Sequence, residues 1–240
     1  MTIRKISEPK VTVTSQVTVT FRSRKDHIVN KFLLLFLSIF LTTSLFAQTK
    51  IDSLKTIIKN EPNNIPALTA LGVHYHDLGV AGDHKAVEKG EEILKKVLSL
   101  DSTNAFATGY YGSILSLKAR DASMPWTKVK YAKQGFEQLD KSIQMNPEDL
   151  DVRLIRAMNS YQVPKIMKRL SLAFDDFNFI IKHKTFESWT ADHQAFVYLH
   201  FGKALEKDDQ HMKAREFFEL AIKAAPASKS AKEAKKALEQ

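Results

Sequence analysis

Eight histidines and two pairs of adjacent aspartates are the side chains in this 240-residue chain best suited to chemistry. Metal ligation is the first possibility to test. His74 and His76 are two apart, and a helix turns such residues about 200° away from each other, so one helix cannot bring both to a metal. His193 and His200 lie two turns apart along one face, with His211 on the following helix. A zinc site there needs a closer pair or a carboxylate partner, so these read as surface or packing histidines. Asp175-Asp176 and Asp208-Asp209 are sequence neighbours; their carboxylates diverge and do not form the acid–base couple of a glycosidase. Asp208-Asp209 fits an inter-helix turn, where aspartate bonds to local backbone. The sequence contains no GxSxG elbow, no GxGxxG and no GxxxxGK[ST], hence no nucleophile elbow or phosphate loop by motif. It has no cysteine, which excludes disulfides, thiolate metal sites and a lipid-modified N-terminal Cys. The expectation is a non-enzyme with no catalytic residue, no metal and no cofactor.

The formal charge of +9 invites a nucleic-acid reading. Its distribution argues against one. Residues 1–47 set Arg4, Lys5, Lys10, Arg22, Arg24, Lys25 and Lys31 against Glu8 and Asp26, a surplus of five that leaves +4 for the rest. No long basic block interleaved with aromatics follows, so no nucleic-acid partner is expected. The basic residues precede FLLLFLSIFLTTSLFAQ, residues 32–48. A basic n-region, a short apolar core and the small Ala47 before Gln48 describe a secretory leader over 28–47. A membrane span needs about 20 apolar residues, and Thr42, Thr43 and Ser44 interrupt this run. The expectation is cleavage near Ala47-Gln48, with a periplasmic or secreted product and no stable membrane insertion. An inner-membrane signal anchor is the alternative, and a buried core helix a third. Residues 1–27 contain VTVTSQVTVT, which alternates like a strand but has no second strand pattern to pair with. They are expected to be unstructured or a mis-assigned extension, with translation starting at Val29.

Beyond Lys50 the apolar residues recur at helical spacing. Turn signals recur every 40–45 residues: Glu61-Pro62-Asn63-Asn64, Asp101-Ser102-Thr103-Asn104, Asn146-Pro147-Glu148-Asp149 and Ala225-Pro226-Ala227-Ser228. Such a period points to a repeat array. In residues 195–228, Tyr198, Phe201-Gly202 and Leu205 are followed by Ala214, Phe218, Ala221 and Pro226. Small residues there let two helices approach, large ones fill the space to the next pair, and the proline ends the second helix. This pattern resembles the tetratricopeptide repeat (TPR). It recurs over 65–104 (Leu68, Leu71-Gly72, Tyr75, then Gly90, Leu94, Val97) and over 105–149 (Tyr111-Gly112, Leu115, then Gly135, Leu139, Ser142). Extra residues stand around 79–86 and 120–131. The segment 150–194 is degenerate, because Arg153 and Arg156 occupy apolar positions and Pro164 cuts its first helix short. Its second helix is expected over 168–183 with a stripe of Leu172, Phe174, Phe177 and Ile181. Capping helices are expected within 48–64 and 229–240.

The resemblance implies an all-α fold: antiparallel helix pairs stacked into a right-handed superhelix, with first helices lining a concave groove for a peptide or partner helix. Carried over residue by residue, the groove positions are Thr69, Val73, His76 and Asp77, then Gly109, Ser113 and Leu117, then Leu199, Lys203 and Glu206. They lack the dense Lys/Arg/Asn set of a carboxylate clamp. The implied function is an exported, non-enzymatic scaffold for an unidentified protein or peptide. The alternative is a periplasmic carrier of a small apolar ligand, with Phe106, Tyr110, Tyr111 and Trp126 lining its cavity. The insertion 121–135 has two readings. Met124, Trp126, Lys128 and Lys130 form a lip over a ligand or partner, or the helix start is lengthened, with Ser123 as cap, Pro125 in its first turn and Trp126 packed on the preceding helix.

Overall fold

The polar turns that punctuate the sequence act as helix caps. Asn64, Asn104, Asp149 and Thr190 each accept a hydrogen bond from a backbone N–H two or three residues on, starting the helices Ile65–Val80, Ala105–Asp121, Leu150–Gln162 and Ala191–Lys207. Such caps satisfy N–H groups that the first turn leaves unpaired. The structure, a computed structural model, describes residues 51–239, and Leu54–Gln240 forms one compact unit. In chain order the helices are α1 (51–60), α2 (Ile65–Val80), α3 (His84–Leu100), α4 (Ala105–Asp121), α5 (Pro125–Met145), α6 (Leu150–Gln162), α7 (Leu170–Lys182), α8 (Ala191–Lys207), α9 (His211–Ala224) and α10 (Lys229–Leu238). Short 3₁₀ turns at Lys165–Met167 and Phe186–Ser188 flank α7. The described residues contain no strand. The leader and the N-terminal extension lie outside the described residues.

Consecutive helices pair as α2/α3, α4/α5, α6/α7 and α8/α9, with α10 closing the end against α9 and α8. First helices pack side by side, α2 on α4, α4 on α6 and α6 on α8, whereas the second helices of neighbouring pairs splay apart. That asymmetry curves the array and leaves the first helices on its inner face. This is a TPR-like helical solenoid.

Within pairs, small residues set the approach. At the α4/α5 crossing Gly112 faces Gly135. A Cβ on Gly112 would lie 2.8 Å from the Gly135 carbonyl oxygen and 2.9 Å from the Leu139 nitrogen. At the α8/α9 crossing Gly202 sits under the Phe218 ring, and Ala214, Phe218 and Ala221 are buried. One apolar cluster gathers Leu68, Val87, Leu94, Val97 and Ile114. A second runs from Ala157 and Phe177 through Phe201 and Phe218 to Ala234 of α10.

The third pair departs from the sequence expectation. The deepest stripe of α7 is Ala173, Asp176, Phe177 and Ile180, rotated from the expected Leu172, Phe174, Phe177 and Ile181. The reason is electrostatic. Asp176 is fully buried and accepts hydrogen bonds from Arg153 (2.9 Å) and from Arg156 (2.7 and 2.9 Å). Arg169 holds Asp140 bidentately at 2.7 and 2.8 Å, and Arg156 reaches the same carboxylate at 3.4 Å. Arg153 also lies over the Phe179 ring and Arg169 over the Phe136 ring. The two arginines that looked out of place thus lie where the pattern puts core residues, their charges matched by Asp176 and Asp140.

Candidate interaction faces

The inner face carries a directed polar chain across three successive first helices. Asn159 Nδ2 of α6 donates to Ser113 Oγ of α4 at 3.0 Å, and that oxygen is 2.8 Å from His76 Nε2 of α2. His76 Nδ1 is 3.1 Å from Asp77 Oδ1. A carboxylate can only accept, so Nδ1 carries the imidazole proton and the Ser113 hydroxyl donates to Nε2. The result fixes the His76 ring, which meets Tyr110 edge-on at 5.0 Å, and Tyr110 in turn packs on Phe106 at 4.8 Å. Burial, with Asp77 and Asp151 adding negative potential, pushes the Tyr110 hydroxyl up to about 12. Asp151 remains exposed at its surface. Yet burial by surrounding protein, then the neighbouring Asp149, raises its carboxyl above the usual range. Both hold for a side chain standing inside a concavity.

Of the groove positions carried over from the repeat pattern, the structure joins His76, Asp77 and Ser113 in this chain. Thr69 and Val73 are half-buried beside them. Three others are taken up by packing. Gly109 is buried near Ser142 and Ile155, Leu117 packs into the cluster under α2 and α3, and Leu199 is 2% exposed within the C-terminal core. Leu199 is therefore not a surface position, because α8 is enclosed on more than one face, with Ala195, Val197 and Phe201 buried as well. Lys203 is held at 2.8 Å by Glu233 of α10, and Glu206 is exposed. Tyr110, Asn159 and Asp151 were not among the carried-over positions. Tyr110 and Asn159 enter through contacts between neighbouring first helices, which a single-repeat pattern does not encode.

His200 ends the inner face. Burial, then the charge of Lys203, lowers its pKa to about 4. The Tyr161 hydroxyl, pushed up to about 12 by burial, stands 2.6 Å from His200 Nδ1 and donates to the neutral ring. His193 stacks edge-on against Trp189, so His193 and His200 do not converge. Among the described residues no group of three His, Cys, Asp or Glu is placed to hold a metal.

The outer side offers a different feature. Because α3 and α5 splay, an open cleft of about 380 Å³ remains between them, floored by the end of α4. Val87, Lys118, Asp121, Met124 and Tyr131 are among its lining residues. Here the extra residues of 121–135 lengthen α5, whose N-cap is Met124 rather than Ser123 and makes no side-chain cap bond. Trp126 does not pack on α4 but is 69% exposed. Thr127 and Tyr131 point at the cleft, which turns Trp126, Val129 and Lys130 outward on the same helix. Lys128 Nζ donates to the Arg120 carbonyl at 3.3 Å, and Arg120 in turn donates to the Gly79 carbonyl at 2.9 Å, so two cations bind helix C-termini. Trp126 and Phe106 lie at opposite ends of the antiparallel α4/α5 pair, and Tyr111 packs against the cluster of α2 and α3. The four aromatics of the carrier alternative therefore do not surround one cavity.

No family model matches the chain, and no curated protein matches it. Solved structures do. A thermophilic TPR protein of Thermus thermophilus, TTC0263, superposes with a TM-score of 0.66 at 15% identity, over 83% of this chain and 96% of that one. MamA matches at TM-score 0.45 and 21% identity over 76% of this chain and 84% of its own. YrrB, a TPR protein with an unusual peptide-binding site, gives TM-score 0.36 and 17% identity over 78% of this chain and 99% of its own. The first of these likenesses, with the caps and glycine crossings above, defines the class: the chain has the TPR fold.

Proposed function

We propose that this protein is an exported, non-enzymatic docking scaffold that binds a protein or peptide along its inner face. The observation that carries the reading is the chain Asn159–Ser113–His76–Asp77 with Tyr110 beside it. It holds polar and aromatic groups of three first helices in one orientation, and preorganised side chains lose less entropy when a partner docks. Repeats over 65–104, 105–149, 150–194 and 195–228, with caps before and after, each add a strip to that surface. Export rests on the leader at 28–47 and its Ala47-Gln48 junction. A native product whose first residue is near Gln48 by mass spectrometry supports it, and one retaining residues 1–25 refutes it.

Photo-crosslinking tests the docking reading. A photoreactive residue at Tyr110 is expected to capture a partner that the same residue at Lys141 on α5 does not. Asp77→Lys and Asp151→Lys are expected to abolish capture while the fold, read by circular dichroism, persists. Capture that is equal from both positions and indifferent to both substitutions refutes it.

A further inference from the structure

The antiparallel pairing places every first-to-second turn on one edge of the array and every return turn on the other. The two edges differ in chemistry. On the first, each pair presents large apolar side chains to water: Val80; Met124 and Trp126; Ile166, 84% exposed; Met212, 78% exposed. Exposed lysines stand beside them, Lys85, Lys130, Lys168 and Lys213. Asp83, Asp208 and Asp209 share this edge, Asp209 paired with Lys165 at 2.6 Å, but lysines outnumber carboxylates along it. Along the other edge stand Glu61, Asp101, Glu148, Asp149, Glu187 and Asp192. Its large aromatics are withdrawn: Phe186 is buried against Trp189 and Tyr198.

We propose that the first edge is a peripheral docking surface for an anionic lipid membrane. Single exposed apolar residues need no explanation, but here they recur at every first-to-second turn of the array, whereas the opposite edge exposes Leu100, at 39%, without such a row. The cleft lined by Met124 opens beside the turns of the first two pairs only, whereas tips along the whole edge can meet a plane together. Interfacial Trp and aliphatic tips suit the boundary between headgroups and acyl chains, and flanking lysines suit anionic headgroups. The carboxylates of the far edge are repelled by the same surface, which sets an edge-on orientation. No transmembrane helix is needed, and none of the described helices is long and apolar enough to be one.

The two tryptophans allow a local test. In the full chain carrying Trp189→Phe, emission reports on Trp126 alone, independently of any binding by residues 32–48. With vesicles of phosphatidylcholine containing about a third phosphatidylglycerol, a blue shift and quenching by brominated acyl chains are expected, and neither with phosphatidylcholine alone. Each basic residue near such a surface contributes about fivefold in partitioning, so Lys130→Glu with Lys168→Glu is expected to weaken it at least about 25-fold. Ile166→Ser, one helix pair along the edge from Trp126, is expected to reduce Trp126 quenching as well. An equal response to neutral vesicles, or no response to either, overturns the proposal. So does a shift produced by polyglutamate without lipid, which indicates an acidic protein partner. So does a shift that grows with protein concentration alone, which indicates a second copy of the chain.

Discussion

Asp176→Asn isolates the electrostatics that replace apolar packing in the third helix pair. Asp176 is 0% exposed, and the Arg153 and Arg156 side chains that hold it are 14% and 12% exposed. Asparagine keeps the shape but removes the charge, and turns an N–H₂ group toward guanidinium donors. Removing one member of a buried ion pair costs about 3–5 kcal/mol, since the partner is left without a counter-charge. Two features soften the loss. Arg156 keeps Asp140 at 3.4 Å, and Arg153 keeps the Pro147 carbonyl at 2.7 Å and the Phe179 ring at 3.7 Å. The expected destabilisation is therefore at the lower end, about 3 kcal/mol. Urea unfolding followed by circular dichroism measures it, with the caution that repeat arrays can unfold in segments, so the slope must be compared as well as the midpoint. A combined change, Arg153→Met, Arg156→Leu and Asp176→Leu, removes all three charges and is expected to recover most of the loss. A loss under about 1 kcal/mol for Asp176→Asn would mean that water already shares the site, and the account of the third pair would fail.

Stability should also depend on pH through His200. Its folded pKa of about 4 lies below the ordinary 6.5, so the unfolded chain binds the proton first. The contribution is complete above pH 6.5 and is lost as pH falls from there through 4, about 3 kcal/mol in all. His200→Phe should flatten the dependence across that window, and a slope that survives refutes the assignment. Gly112→Ala forces a methyl against backbone atoms of α5 at 2.8 and 2.9 Å; thermal unfolding should show a loss of about 2–3 kcal/mol, and a neutral result would mean the crossing can widen. Ser113→Ala leaves Asn159 and His76 without their shared partner and should cost about 1–2 kcal/mol. It should also change the His76 ring nitrogen shifts, which report its tautomer, in an NMR spectrum at fixed pH, whereas unchanged shifts would detach His76 from the chain of hydrogen bonds.

The sequence by itself determined the helical class, the pairing and the caps. Those follow from local rules: Asn64, Asn104 and Asp149 cap because a side-chain oxygen reaches N–H groups two or three residues away, and Gly112, Gly202 and Phe218 recur because helix crossings need small against large. The tertiary structure decided what depends on residues far apart in the chain. Arg153 and Arg156 read as defects until Asp176, twenty or more residues on, was placed between them. Leu199 read as a groove residue until the C-terminal core enclosed it, and Trp126 as either a lip or a packing residue until α5 turned it outward. The inner polar chain joins residues 37 and 46 apart. Periodicity specifies which face of a helix is apolar, but only the stacking of neighbours decides which polar side chains end within hydrogen-bonding distance.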